Sequence, residues 1–236
     1  MKKYLAALAI FLLAISLKAQ NTSRSTEDAA LLEMAQATFR AHGGEKLTQS
    51  RTLILRGSVE VTAPGSTQTL PASFALILAG EKYRFDIQSG FFNFLQVSDG
   101  FNTSSSMPGV SLPPMNRVGL YILPKLGEPG YTISALPEKL KKKKGFRMTS
   151  PEGYYSDFLI DEKTSLVKEF ESSYDYNGRI ISTSVAIQKY KDVEGVLVSE
   201  KFSQRLDLGQ ATAYASFNAK DILVNSEVAD DVFTIK

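Results

Sequence analysis

The sequence predicts a mainly β fold of the α+β kind, in which one amphipathic helix precedes a long run of antiparallel strands. Three observations carry this. Only Thr26 to His42 repeats its apolar residues at three- and four-residue spacing; nearly everything after Thr52 alternates apolar with polar; and turn pairs such as Asp99-Gly100, Asn177-Gly178 and Gly209-Gln210 divide the alternating stretches. In the helix, Leu31, Leu32, Ala35 and Phe39 form the apolar stripe. Ser25 or Thr26 can cap its start, where the helix dipole favours the negative charges of Glu27 and Asp28. Gly43-Gly44 supplies the left-handed residue that commonly ends a helix. A lone helix ahead of a long sheet must bury its stripe against that sheet.

Residues 1–19 read as a cleaved secretory signal. Lys2 and Lys3 give the charged start, Leu5 to Leu17 is apolar apart from Ser16, and Ala19 offers a small residue before Gln20. The apolar run is too short for a comfortable membrane span. The signal's brevity points to a bacterial periplasm. Residues 20–236 then form one domain of about 215 residues. The chain has no cysteine, hence neither disulfide nor lipid-anchor site, and its core must carry its stability. A net charge of +2 gives no electrostatic footprint for nucleic acid. One histidine and no cysteine remove most metal-site arrangements, and no cofactor is expected. The expected state is a monomer.

Taken in order, Glu45 to Ser50 is a short helix or turn that carries Leu47 inward. Thr52 to Thr62 alternates, with Leu53, Leu55, Gly57, Val59 and Val61 on one face. After the turn Ala63–Ser66, a second strand continues the pattern with Phe74, Leu76 and Leu78. Tyr83, Phe85 and Ile87 mark a third strand, and Phe91 to Val97 a fourth, apolar on both faces and so expected to be buried. These strands form a meander with one apolar face.

From Met107 to Gly130 two proline-rich stretches bracket Val118 to Leu123. The prolines forbid a central strand, yet Leu120, Tyr121, Ile122 and Leu123 are too apolar for an idle surface loop. The segment either packs on the core or forms a lid over an apolar opening, and residues 107–144 are set apart as a lid and loop insertion. Lys139 to Lys144 ends it, either as a solvated loop or as a contact for anionic headgroups on a membrane surface.

Strands then resume at Tyr154–Ile160 and Leu166–Tyr174, and the hairpin signal Asn177-Gly178 leads into Ile181–Ile187. Val193–Gly195 turns into the long strand Val196–Leu208, followed by Ala211–Phe217, Ile222–Asn225 and Val232–Ile235. The total is about ten strands joined mostly by tight turns, so sequence neighbours are expected to be sheet neighbours.

The order of these pieces resembles the LolA/LolB-like lipoprotein-sorting superfamily. The resembling residues are the helix running into His42–Leu47, then Leu53–Gly57, Lys82–Phe85, Ser98–Gly100, Leu159–Leu166 ahead of Asn177-Gly178, Tyr190–Val196, Val224-Asn225 and Asp230–Phe233. They span nearly all of residues 20–236, and their force lies in order and spacing. The resemblance implies a half-open, strongly curved antiparallel β-barrel with a helix plugging its concave side, and an apolar cavity between them that holds acyl chains. The chain departs from the family at Leu197, where proline is common, and in its longer middle segment and lysine run. Lacking an anchor cysteine, it differs from the membrane-anchored receptor branch.

Motifs for chemistry are sparse. No Gly-x-Ser-x-Gly elbow, phosphate loop or dinucleotide fingerprint occurs. His42, at a helix end, is expected to meet the last carbonyls rather than abstract protons. Ser165-x-x-Lys168 falls in a turn and strand rather than at a helix start. Glu227, Asp230 and Asp231 lack calcium-loop spacing and are expected to cap the last turn. Catalysis is therefore not expected. The apolar face, with Leu55, Val59, Phe74, Leu76, Phe85 and Phe94, is either plain core or, with Leu120 and Ile122 above it, the wall of a lipid site. One helix covers little of about ten strands, and uncovered apolar sheet needs a second layer, a ligand or a partner. Two functions follow: an exported, non-enzymatic carrier or binder of lipid or lipoprotein acyl chains, or a periplasmic interaction or envelope-sensor module with a closed core.

Overall fold

The computed structural model describes residues 27–106, 114–176, 178–209 and 211–235. The signal reading of residues 1–19, the capping positions Ser25 and Thr26, residues 107–113 of the proline-rich segment and Asn177 lie outside the described residues. Among the described residues two helices come first: α1 over residues 27–41 and the short α2, Glu45–Gln49. The strands are β1 Thr52–Thr62, β2 Thr69–Ala79, β3 Lys82–Gln88, β4 Asn93–Ser98, β5 Thr103–Ser105, β6 Thr132–Ser134, β7 Gly145–Thr149, β8 Tyr155–Ile160, β9 Val167–Tyr176, β10 Arg179–Val193, β11 Val196–Asp207 and β12 Thr212–Val224. Short 3₁₀ helices are η1 Met115–Arg117, η2 Gly119–Lys125, η3 Glu138–Leu140 and η4 Asp230–Phe233.

All twelve strands belong to one antiparallel sheet, ordered β5-β4-β3-β2-β1-β12-β11-β10-β9-β8-β7-β6. Sequence neighbours pair throughout, as tight turns dictate, except at one break: β5 and β6 lie at opposite edges. The chain thus enters mid-sheet at β1, walks to one edge, crosses to the other, and returns to lay β12 beside β1. The segment between β5 and β6, which carries η1 and η2, has to make that crossing. The sheet is not closed into a barrel, since β5 and β6 end it without pairing to each other.

Several expectations need correction. Among the described residues the strands number twelve, against the expected ten or so. The edge strands β5 and β6 have three residues each, too few to show alternation, and β7 follows directly on the lysine run. The stretches 211–217 and 222–225 are one strand, β12, while Val232 and Phe233 sit in η4. β6 and β7's approach through η3 fall inside 107–144, so the second part of that stretch joins the sheet rather than forming a loop. Phe91 is 77% exposed in the β3–β4 turn, not buried.

Register brings Leu55, Leu76 and Phe85 side by side across β1–β3, and Val59, Phe217 and Phe202 across β1, β12 and β11. This is the inner face. On it lie two apolar clusters. The first joins β1–β4 to β11 and β12 and is rich in phenylalanine; Phe202 stacks on Phe217 at 4.6 Å, and Phe74 meets Phe217 edge-on at 5.0 Å. The second packs Phe146, Met148, Phe158, Ile160 and Val167 of β7–β9 against Ala35 of α1 and Ile122 and Leu123 of η2.

α1 therefore packs on the second cluster, with Leu31, Met34 and Phe39 beside Ala35. It was expected to plug the concave face; among the described residues its apolar side chains pack on the second cluster. Leu32 is 44% exposed and leaves the stripe. At 3.6 residues per turn it sits a sixth of a circle or more away from each of Leu31, Ala35, Thr38 and His42, the last three of which are buried.

Candidate functional site

Over the first cluster, a cavity of about 320 Å³ opens between the inner face and the crossing segment. Its floor includes Leu55, Leu76, Phe85, Val198 and Phe202; its roof is made by Leu47 of α2 and by Met115, Leu120 and Tyr121 of η1 and η2. Arg51, Glu81, Lys125 and Glu128 stand at its rim. The walls are dominated by apolar side chains, as in small-molecule pockets generally.

The roof is held from both sides. Toward β2–β3, Lys125 forms an ion pair with Glu81, and Asn116 Nδ2 donates to the Glu81 carbonyl at 2.8 Å. Toward β7–β8, Arg117 pairs with Glu152 at 2.5 Å. In the middle, the Gly119 N–H donates to Ser156 Oγ at 2.7 Å, and that hydroxyl also lies 3.0 Å from Ser172 Oγ. Gly119 has φ +68°, and a Cβ there would stand 2.5 Å from the Phe170 ring, so glycine is required on both counts. Ile122 and Leu123 root the segment in the second cluster with no exposed surface. Val118 to Leu123 thus packs on the core and roofs a cavity at the same time.

The eight residues expected to bind lipid divide evenly. Leu55, Leu76, Phe85 and Leu120 line the cavity. Val59, Phe74 and Phe94 are packed within the first cluster, and Ile122 faces the second. Sequence reasoning missed Phe170, Phe202 and Tyr121 as lining residues. Alternation along β11 places Phe202 on the face of Val196 and Val198, so that signal was present.

Polar groups inside the cavity are few. Gln204 Nε2 donates to Thr183 Oγ1 at 3.0 Å. The Tyr121 hydroxyl has no hydrogen-bond partner among the described residues, and burial raises its pKa well above the usual phenol value. On Lys125 burial opposes the charge, but the Glu81 carboxylate outweighs it and the pKa rises.

Other candidates prove structural. His42 is buried; its Nδ1 lies 2.8 Å from the Thr38 carbonyl and its Nε2 3.1 Å from the Tyr190 hydroxyl, which itself donates to the Val167 carbonyl at 2.6 Å. Burial lowers the histidine pKa, with the Thr38 bond pulling partly back. The helix end is also tied to β11, because the Leu197 N–H donates to the His42 carbonyl at 3.2 Å. A proline at Leu197 could not make that bond. Ser165 lies in the Asp161 turn with φ +58°, and Lys168 is exposed on β9. Asp230 pairs with Lys82 at 2.9 Å. Among the described residues no group of three or more His, Cys, Asp or Glu could hold a metal ion. Within the lysine run, Lys139 pairs with Glu171, Lys141 with Glu138 and Lys143 with Glu169; Lys142 and Lys144 are exposed without an ion pair among the described residues. Among them, too, no helix is long and apolar enough to cross a membrane.

No family model matches the chain, and no curated protein matches it in sequence. Solved structures do. A LolA superfamily protein from Nitrosomonas europaea aligns at TM-score 0.50 and 12% identity, covering 89% of this chain and 98% of that one. A domain named for outer-membrane lipoprotein sorting, from Vibrio parahaemolyticus, aligns at 0.49 and 14%, covering 87% and 97%. A DUF1329 family protein from Desulfovibrio piger aligns at 0.48 and 10%, covering 88% and 97%. The first of these shows a shared fold over nearly the whole of both chains.

Proposed function

We propose that this chain, which has the fold of a LolA superfamily protein, is an exported, non-enzymatic binder or carrier of lipid or of lipidated protein, and that acyl chains fill its cavity. The observation that carries this reading is the roofed apolar cavity of about 320 Å³, within the roughly 300–1,000 Å³ of ordinary ligand pockets. Each methylene moved from water into it would contribute about 0.8 kcal/mol. A closed-core interaction module would instead have side chains in this volume, as the second cluster does beneath α1. The signal-like pattern of residues 1–19 supports export to the periplasm. Of Lys139–Lys144, Lys142 and Lys144 are the ones left to meet anionic headgroups during transient membrane contact.

Native mass spectrometry of protein purified from the cells that make it, followed by organic extraction, tests this. A stoichiometric lipid or acylated peptide is the expected result. A clean ligand-free mass with no uptake of added lipid would remove the proposal.

A further inference from the structure

An unpartnered tyrosine in the cavity's roof points to which part of a lipid it holds. Gln204 donates to Thr183, Lys125 pairs with Glu81, and Asn116 donates to the Glu81 carbonyl while its Oδ1 is sealed inside the protein, away from the cavity. The Tyr121 hydroxyl lines the same space without a partner among the described residues. It is not among the unpartnered polar atoms wholly sealed inside the protein, and Tyr121 lines the cavity. A phenol brings one O–H donor, and a donor removed from water costs its full desolvation when nothing accepts from it. Bare hydrocarbon would leave it stranded. Tyr121 also lies four residues before Lys125 in η2, about 8 Å of 3₁₀ rise from the charged rim. A group beside Tyr121 thus has room for a chain on one side and open rim on the other.

We propose that the cavity recognises an acyl chain by its ester or amide carbonyl, which accepts a hydrogen bond from the Tyr121 hydroxyl. The chain lies over Leu55, Leu76 and Phe85, and the head group leaves past Arg51 and the Lys125–Glu81 pair. This rests on the acyl-binding reading above and adds a preference that reading does not require: acyl-linked lipid over its alkyl-linked counterpart.

Two lysophosphatidylethanolamines test it, one with a 1-hexadecanoyl and one with a 1-hexadecyl chain, titrated calorimetrically into wild type and Tyr121→Phe. They share head group and chain length and differ only at the carbonyl. The wild type should bind the acyl form roughly tenfold more tightly, the order of one net hydrogen bond. Tyr121→Phe should erase that difference, because the acyl form loses its hydrogen bond and the alkyl form no longer strands the phenol donor. Equal binding of the two lipids by the wild type, or a preference that survives in Tyr121→Phe, overturns the carbonyl assignment while leaving acyl binding intact. Uptake of neither lipid overturns the acyl-binding reading itself.

Discussion

Gly119→Ala tests how the roof is seated. Gly119 sits at φ +68°, where an L-residue costs about 1–2 kcal/mol. Its new methyl group would stand 2.5, 2.7 and 3.0 Å from three atoms of the Phe170 ring. Overpacking of this kind costs about 1–3 kcal/mol. Phe170 is packed beside Phe158, at 6.3 Å between ring centres, but its other side lines the cavity. Relief therefore has one direction, with the ring turning into the cavity. The expected result is a loss of about 2–5 kcal/mol, toward the lower end if the ring moves. Lipid uptake should fall with it, because Phe170 then takes ligand space. Urea unfolding followed by far-ultraviolet circular dichroism gives the first quantity, and titration with a lysolipid the second; the chain has no tryptophan to report by fluorescence. Repeating the substitution in a Phe170→Leu background should recover the clash component and leave the backbone strain. A loss under about 0.5 kcal/mol in the wild-type background, or an equal loss in both, would refute this account of Gly119.

Three other outcomes are expected. Leu120→Trp adds bulk to the cavity roof and should reduce lipid uptake severalfold with little change in the urea midpoint, whereas deleting Val118–Leu123 would also remove the fully buried Ile122 and Leu123. Thr38 is wholly buried on α1 with no partner for its Oγ1 among the described residues, so Thr38→Val should stabilise the fold by about 1 kcal/mol in urea unfolding. Burial holds the His42 pKa below its usual value of 6.5, so the unfolded chain binds the proton more readily. This contribution to stability is full above pH 6.5 and is lost as pH falls from there toward the folded-state pKa. Thermal midpoints measured across that range should fall in the wild type and fall less in His42→Gln.

What could be read from the chain, and what could not, follows from the range of the interactions involved. The helix, the long strands and the hairpins rest on local periodicity and turn chemistry, and Leu55, Leu76 and Phe85 fall on one face by alternation alone. Val59, Phe74 and Phe94 obey the same alternation, so it cannot separate packed core from cavity wall. That distinction depends on what lies above each residue. The roof arrives there because β5 and β6 sit at opposite edges, a non-local fact carried by two strands too short to announce themselves. The roof is also 3₁₀ helix around Pro124, and its period matches neither an α-helix nor a strand. Leu120 and Tyr121 therefore could not be told in advance from Ile122 and Leu123, which turn the other way into the core. Leu32 was placed on the buried stripe because its neighbours are apolar; packing chose Met34 and Thr38 instead.

The most direct test of the central claim is a crystal structure of the protein with a lysolipid brominated at the end of its chain, located by the bromine's anomalous scattering. The account expects the bromine inside the cavity, against the floor formed by Leu55, Leu76 and Phe85. Bromine found only on the outer surface, or a cavity left empty while the protein binds lipid in solution, would contradict it.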